Sequence, residues 1–204
     1  NGIALGGAVQ FNYGWLDYGP SNGLDPELVR FDAKGRSGSA FFSLQYRSYD
    51  GFDALHHAYA GWSIGEGSDL RIGVQQVPFG LLPYASQSFW FSSGYYLGIE
   101  DDYDLGVVWQ RGDAWYQWYV GVLASDEYGT GGRSGRYSFD VATTTAHSYR
   151  ERERVNLRYQ HLHEAEGGEL VLGASLFSGR IEDRGHAGRH GHHGTDAGVC
   201  HGDQ

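Results

Sequence analysis

Apolar and polar residues alternate along most of this chain with a period of two. Over residues 3–15 the odd positions are Ile3, Leu5, Gly7, Val9, Phe11, Tyr13 and Trp15, and the even ones are Ala4, Gly6, Ala8, Gln10, Asn12 and Gly14. That period predicts a β-strand with one apolar face. Its thirteen residues exceed the usual globular strand of about 5–6 and suit a tilted membrane-crossing strand of about 9–11 plus its ends. Tyr13, Trp15 and Tyr18 close the segment, residue types that sit well where apolar and polar solvents meet, and Gly19-Pro-Ser-Asn-Gly23 follows as a turn.

The pattern recurs eight more times. Val29, Phe31 and Ala33 alternate with Arg30, Asp32, Lys34 and Arg36, and Ala40, Phe42, Leu44 and Tyr46 with Phe41, Ser43, Gln45 and Arg47. Only Gly-Arg-Ser-Gly lies between these two segments, a tight hairpin connection. A less regular fourth segment, 55–64, sets Ala58, Ala60, Trp62 and Ile64 against His57, Tyr59 and Gly61. In the fifth, Leu70, Ile72 and Val74 alternate with Arg71, Gly73 and Gln75 until Pro78-Phe79-Gly80, where proline ends ladder donation. Leu105, Val107 and Trp109 open a sixth segment, and 115–124 make a seventh. Val155, Leu157 and Tyr159 then face away from Arg154, Asn156, Arg158 and Gln160, and Leu170, Leu172, Ala174 and Leu176 from Val171, Gly173 and Ser175. The fold class expected is all-β.

The connections choose among all-β architectures. In order they are long (17–27), short (35–38), medium (49–54), short (65–68), long (78–103), short (111–113), long (125–150) and short (164–168). A meander of this kind has its short turns on one side, as outer-membrane barrels do. A soluble β-sandwich also gives alternating strands, but nothing makes its loops alternate in length. The pattern therefore favours an antiparallel up-and-down transmembrane β-barrel. The rival is a soluble β-sandwich acting as a carbohydrate-binding module through aromatic contacts.

Composition adjusts this picture in a few places. No apolar run approaches the roughly 18 residues of a membrane-crossing helix. A mean hydropathy of −0.47 does not oppose a barrel, since half of every strand faces water. A net charge of −10 argues against a nucleic-acid surface. The one cysteine, Cys200, excludes an internal disulfide framework. With neither methionine nor a charged-then-apolar leader, any signal peptide is expected to have been removed or never included. Ser, His and Asp occur in no nucleophile-elbow or zinc-protease context, so neither an enzyme nor a cofactor is expected.

Ala58-Tyr59, then Leu70-Arg-Ile-Gly-Val-Gln-Gln-Val-Pro-Phe-Gly80, then Asp104-Leu-Gly-Val-Val108 resemble, in order and spacing, the phosphate-selective porin O and P family of Gram-negative outer membranes. They look like that family's strand, its Gly-Gln-x-x-x-Pro-Phe-Gly strand end, its third loop and the strand after it. Val74 stands where the family has glycine. The similarity covers about residues 1–180 and implies the N-terminal part of a trimeric barrel of about 16 strands, whose third loop folds inward to narrow the pore. About nine strands are present, and an odd number cannot close an up-and-down barrel with both termini on one side. The chain is therefore expected to be an incomplete set with an unpaired edge. What the resemblance implies is a passive channel for small hydrophilic solutes in the cell outer membrane, with outer-membrane lipid and two further copies as partners.

If the apolar phase meets lipid, the opposite phase lines the pore: Arg30, Asp32, Lys34, Arg47, Arg71, Gln75, Arg154 and Arg158. This set is mostly basic, while acid gathers in the connections, as at Asp17, Asp25, Glu27, Asp50, Asp53, Asp126 and Glu127. A basic wall concentrates anions and guanidinium suits carboxylate or phosphate; equally, arginines pair with carboxylates across a lumen and stiffen it. Both readings stay open. Lys34 is the only lysine, against a lysine-rich pattern in the family's phosphate specialists, so a broader, anion-leaning pore is expected rather than a phosphate-specific one.

Between Gly80 and Asp104 lie Tyr84, Phe89, Trp90, Phe91, Tyr95 and Tyr96, then Glu100, Asp101 and Asp102. Aromatics clustered on a loop need burial: inside a barrel they constrict it, on a surface they pack the loop, and the resemblance favours constriction. Glu100-Asp101-Asp102 with Asp104 matches no calcium-loop spacing, so a solvated acidic loop end is expected. The Gly/His-rich tail, 181–204, is irregular and forms a second region; His190, His192, His193, Cys200 and His201 carry ligand atoms without a ligand spacing. It reads as a mobile loop or, preferably, an out-of-frame end, and no metal is assigned to it.

Overall fold

A computed structural model of the chain describes residues 2–14, 23–80, 101–126, 149–165 and 168–183. These residues form β1 (Gly2–Gly14), β2 (Gly23–Ser37), β3 (Ala40–Tyr49), β4 (Phe52–Gly65), β5 (Ser68–Gln76), β6 (Tyr103–Gly112), β7 (Tyr116–Asp126), β8 (Tyr149–Ala165) and β9 (Gly168–Asp183), and no helix occurs among them. Each strand pairs antiparallel with the next, giving one sheet in the order β1 to β9. The sheet is not closed: β1 and β9 are its two edges. A sandwich would need two facing sheets, and the described residues supply one.

Glycine sets two of the hairpins. Asp50-Gly51 joins β3 to β4 with Gly51 at φ 90°, and Glu66-Gly67 joins β4 to β5 with Gly67 at φ 63°, the left-handed geometry that two-residue hairpin turns require. At Gly67 a Cβ would also run into the Gly112 carbonyl. The first of these turns corrects the expected medium-length connection over 49–54. Tyr49 and Phe52 extend the ladder to the turn itself, their rings stacked 4.6 Å apart.

Directly opposed residues in an antiparallel pair share a face. Arg30 lies opposite Arg47, Asp32 opposite Gln45 and Lys34 opposite Ser43; Gln45 in turn opposes His57. Further along, Arg71 opposes Val108 and Arg158 opposes Tyr119. The polar phases predicted strand by strand therefore fall on one face of the sheet, and the apolar phases on the other.

The accessibility of the two faces is inverted relative to a water-soluble sheet, which buries its apolar side against a second layer. Val122 is 58% exposed, Leu176 54% and Ile72 46%, whereas Gln75 is 3%, Arg158 2% and Asn156 0%. Among the described residues, buried apolar side chains make two small clusters, Ala54–Val74–Tyr103 and Val77–Val108–Leu123. The first corrects one expectation: Val74 does not join Leu70 and Ile72 on the open apolar face, because Tyr49, Phe52 and Leu55 pack around its cluster.

The sheet curls around its polar face. Laid flat, β9 would stand about 19 Å from β5, at roughly 4.8 Å per strand. The four residues after Gln76 reach about 14 Å at full extension, and they are not extended, since Phe79 N donates back to Val77 O at 2.9 Å. Yet Gly80 N donates to Ser175 Oγ on β9 at 3.0 Å. Curvature toward the polar side accounts for that contact.

Candidate functional site

The concave polar face is built from cross-strand positions, so its geometry follows from register. Arg30 Nε donates to Asp32 Oδ2 at 2.9 Å, and Gln45 Nε2 to the other Asp32 oxygen at 2.5 Å. Gln45 Oε1 accepts from Arg47 Nε at 2.7 Å, and Arg47 Nη1 donates on to the Tyr49 hydroxyl at 3.2 Å. A ladder of bonded polar groups thus runs across β2 and β3. Lys34, exposed on β2, extends the same face beyond it.

A bulge in β4 carries the ladder onward. The register steps between Gln45 and Tyr46 so that Gln45 faces His57 and Tyr46 faces Leu55, leaving His56 as the extra residue. A bulge re-aims side chains, and here both imidazoles line the same recess. Ser43 Oγ and His57 Nε2 are 2.8 Å apart, the two Nδ1 atoms 2.9 Å apart, and the His56 ring lies 4.2 Å from that of Tyr103. The bulge is also why the fourth segment alternates poorly in sequence. His56 carried no periodic signal; Gln45, Tyr59, Gln110 and Tyr119 were in phase but unremarkable without their neighbours.

After β5 the chain leaves the wall and crosses the polar face. Val77 is buried with Val108 and Leu123. Phe79 packs edge-on against Phe177 of β9, ring centroids 5.4 Å apart, and Arg158 Nε of β8 donates to Gly80 O at 2.9 Å. The chain comes back on the same side: Val77 N donates to Asp102 O at 2.8 Å and Gln76 Nε2 to Asp101 Oδ1 at 3.0 Å. Arg154 Nη2 of β8 then binds both Asp102 Oδ2, at 2.7 Å, and Asp104 Oδ2.

That last group overturns the expectation of a solvated acidic loop end. Asp101, Asp102 and Asp104 are all but fully buried, as is Arg154. The reason is a partner on β8, about fifty positions away, which lets two carboxylates leave water. Of the other constriction candidates, Tyr84, Phe89, Trp90, Tyr95, Tyr96 and Glu100 lie outside the described residues, as do His190, His192, His193, Cys200 and His201.

Both readings of the basic wall find instances. Arg30 and Arg154 are ion-paired to Asp32 and to Asp102 with Asp104. Arg158 donates to neutral acceptors, Gly80 O and Gln160 Oε1, and Arg71 Nη2 to Gln110 Oε1 at 2.5 Å, its guanidinium 5.5 Å over the Tyr59 ring. Gln75 Nε2 is turned into the wall, donating to Gly106 O at 3.2 Å. With three aspartates inside it, the face is less basic than its strand phases alone suggest. A recess of about 390 Å³ remains open on this face between β3 and β7.

No family model, curated protein or solved structure matches the chain.

Proposed function

We propose that this sheet is part of the wall of an outer-membrane porin resembling the phosphate-selective porin O and P family, a passive diffusion channel for small hydrophilic solutes. The observation that carries the reading is the inverted sheet. Its apolar face is exposed on all nine strands, as large apolar patches that mark a contact surface are, while its polar face is concave and buried across the central strands, as at Gln75, Asn156 and Arg158. Strands of 9 to 17 residues are long enough to cross a hydrocarbon core when tilted. Trp62, Trp109, Trp118 and Tyr159 lie toward the short-turn ends of β4, β6, β7 and β8, where an interfacial aromatic belt would stand. Unpaired edges at β1 and β9 leave room for further strands to complete a barrel.

In this reading residues 77–80 and 101–102 stand inside the channel and narrow it. Arg71 and Arg158, whose described hydrogen bonds go to neutral acceptors, lean it toward anions. Phosphate specificity is not assigned. Homotrimer assembly follows from the resemblance.

Reconstitution into vesicles of brominated phospholipid tests the lipid-facing assignment: tryptophan emission should be strongly quenched by the lipid and weakly by acrylamide in the water. The opposite order would sink it. Stepwise ionic currents in planar bilayers test the channel, and a reversal potential on the cation side in a salt gradient would remove the anion lean.

A further inference from the structure

The recess on the polar face has a chemistry of its own. At about 390 Å³ it falls at the small end of ligand sites. Its walls come from five consecutive strands, β3 to β7, and from Pro78, and none of its described lining residues is a carboxylate. Arg71 is the permanent charge in it. Among the described residues Arg71 meets no carboxylate: Nη2 donates to the neutral Gln110 Oε1, and the buried Nε donates to nothing. Arg30 and Arg154 on the same face are each neutralised by aspartate, so Arg71 is not under a general rule of this wall.

We propose that this recess binds a sugar carboxylate, a single pyranose-sized ring bearing hydroxyls and one carboxylate, seated on Arg71. The proposal rests on the reading of the polar face as a channel wall. A guanidinium that bonds no carboxylate among the described residues suits an anion with planar oxygens. One cation matches a monoanion; a phosphate carrying about −1.5 to −2 would want a second permanent cation in the recess, and there is none among its described lining residues. The rest of the lining selects what bears the carboxylate. Tyr59 and Tyr119 also line the recess, and aromatic rings suit the C–H faces of a pyranose. In the hydrogen bonds described, Gln110 uses only its oxygen, while Gln75 and Gln76 use only their nitrogens. That leaves one amide donor and two amide acceptors for hydroxyls, which both give and take hydrogen bonds. An aromatic or aliphatic acid of the same size would leave those amides unpaired, which costs affinity.

The test is equilibrium binding to the full chain folded in detergent micelles, by isothermal titration with D-glucuronate, D-glucose, acetate and inorganic phosphate. D-Glucuronate is expected to saturate with a Kd on the order of 1 mM, strong enough to enter and weak enough to leave a channel. It should bind about tenfold tighter than D-glucose or acetate, the contribution of one charge-assisted hydrogen bond or one set of hydroxyl contacts. Arg71→Gln should erase the advantage over D-glucose, and Arg71→Lys should keep part of it; β-sheet circular dichroism checks that both are folded. The wild-type comparison stands without either variant. Absence of saturable D-glucuronate binding overturns the proposal, as does equal affinity for D-glucose or for acetate, or tighter binding of phosphate. Binding in micelles requires no conduction, so its failure alongside ionic steps in planar bilayers removes this site and leaves the channel. Binding without conduction removes the channel and leaves the site.

Discussion

Arg154 is the point at which the crossing segment is fastened to the wall, and its removal makes the most demanding test of the fold. Its Nη2 bonds Asp102 and Asp104, with side-chain exposures of 6%, 2% and 1% for the three groups. Arg154→Met keeps most of the stem and deletes the charge that bonds both buried carboxylates. Hydrogen bonds to charged groups contribute about 1.5–3 kcal/mol each, so the two lost bonds amount to about 3–6 kcal/mol. Breaking a buried ion pair from one side costs about 3–5 kcal/mol by direct comparison, and the two figures agree. With an m-value of about 2 kcal/mol per molar of urea, the unfolding midpoint should fall by roughly 2 M, read by tryptophan emission in micelles or vesicles. Adding Asp102→Asn and Asp104→Asn to Arg154→Met should recover most of the loss, because the cost lies in uncompensated charge rather than in the arginine itself. A midpoint shift below about 0.5 M, equivalent to about 1 kcal/mol, would refute the buried-triad account. Failure of the triple variant to recover would assign Arg154 to packing instead, through the Phe177 ring 5.9 Å away.

Two further outcomes separate the faces of the sheet. Val107→Arg, at a position opposite Ile72 and Val122 on the apolar face, should destabilise the vesicle-bound protein by about 2–4 kcal/mol. A water-facing site would tolerate the same change within about 0.5 kcal/mol, and that result would count against lipid on this side. Arg158→Gln removes the bond to Gly80 O, which contributes about 1.5–3 kcal/mol. Protease cleavage just beyond Gly80 should accelerate by about tenfold or more, and an unchanged rate would show that Phe79 and Ser175 hold the segment without Arg158.

Much of the wall was legible from period two alone. Once Ile72 is apolar and Arg71 and Gly73 are not, any antiparallel register that buries one phase sends the other to the opposite face, since a strand has only two. Hence the alternation in β2, β3, β8 and β9 anticipated which side each residue takes, and Pro78 marked where the ladder stops. Where alternation failed, so did foresight. The extra residue at His56 is visible only when Gln45 and Leu55 are seen in register with β3 and β4, and a bulge has no required residue type to announce it.

The sequence by itself therefore determined the number, direction and sidedness of the strands, because those depend on neighbours one or two positions away. Tertiary structure alone decided what the polar side contains. Asp101, Asp102 and Asp104 look like a hydrated acidic run until Arg154 stands beside them. Arg71 looks like any other basic wall position until the described lining of the recess around it proves to hold no carboxylate. Charge compensation acts through space over a few ångströms, and only the pairing of distant strands brings those groups within range.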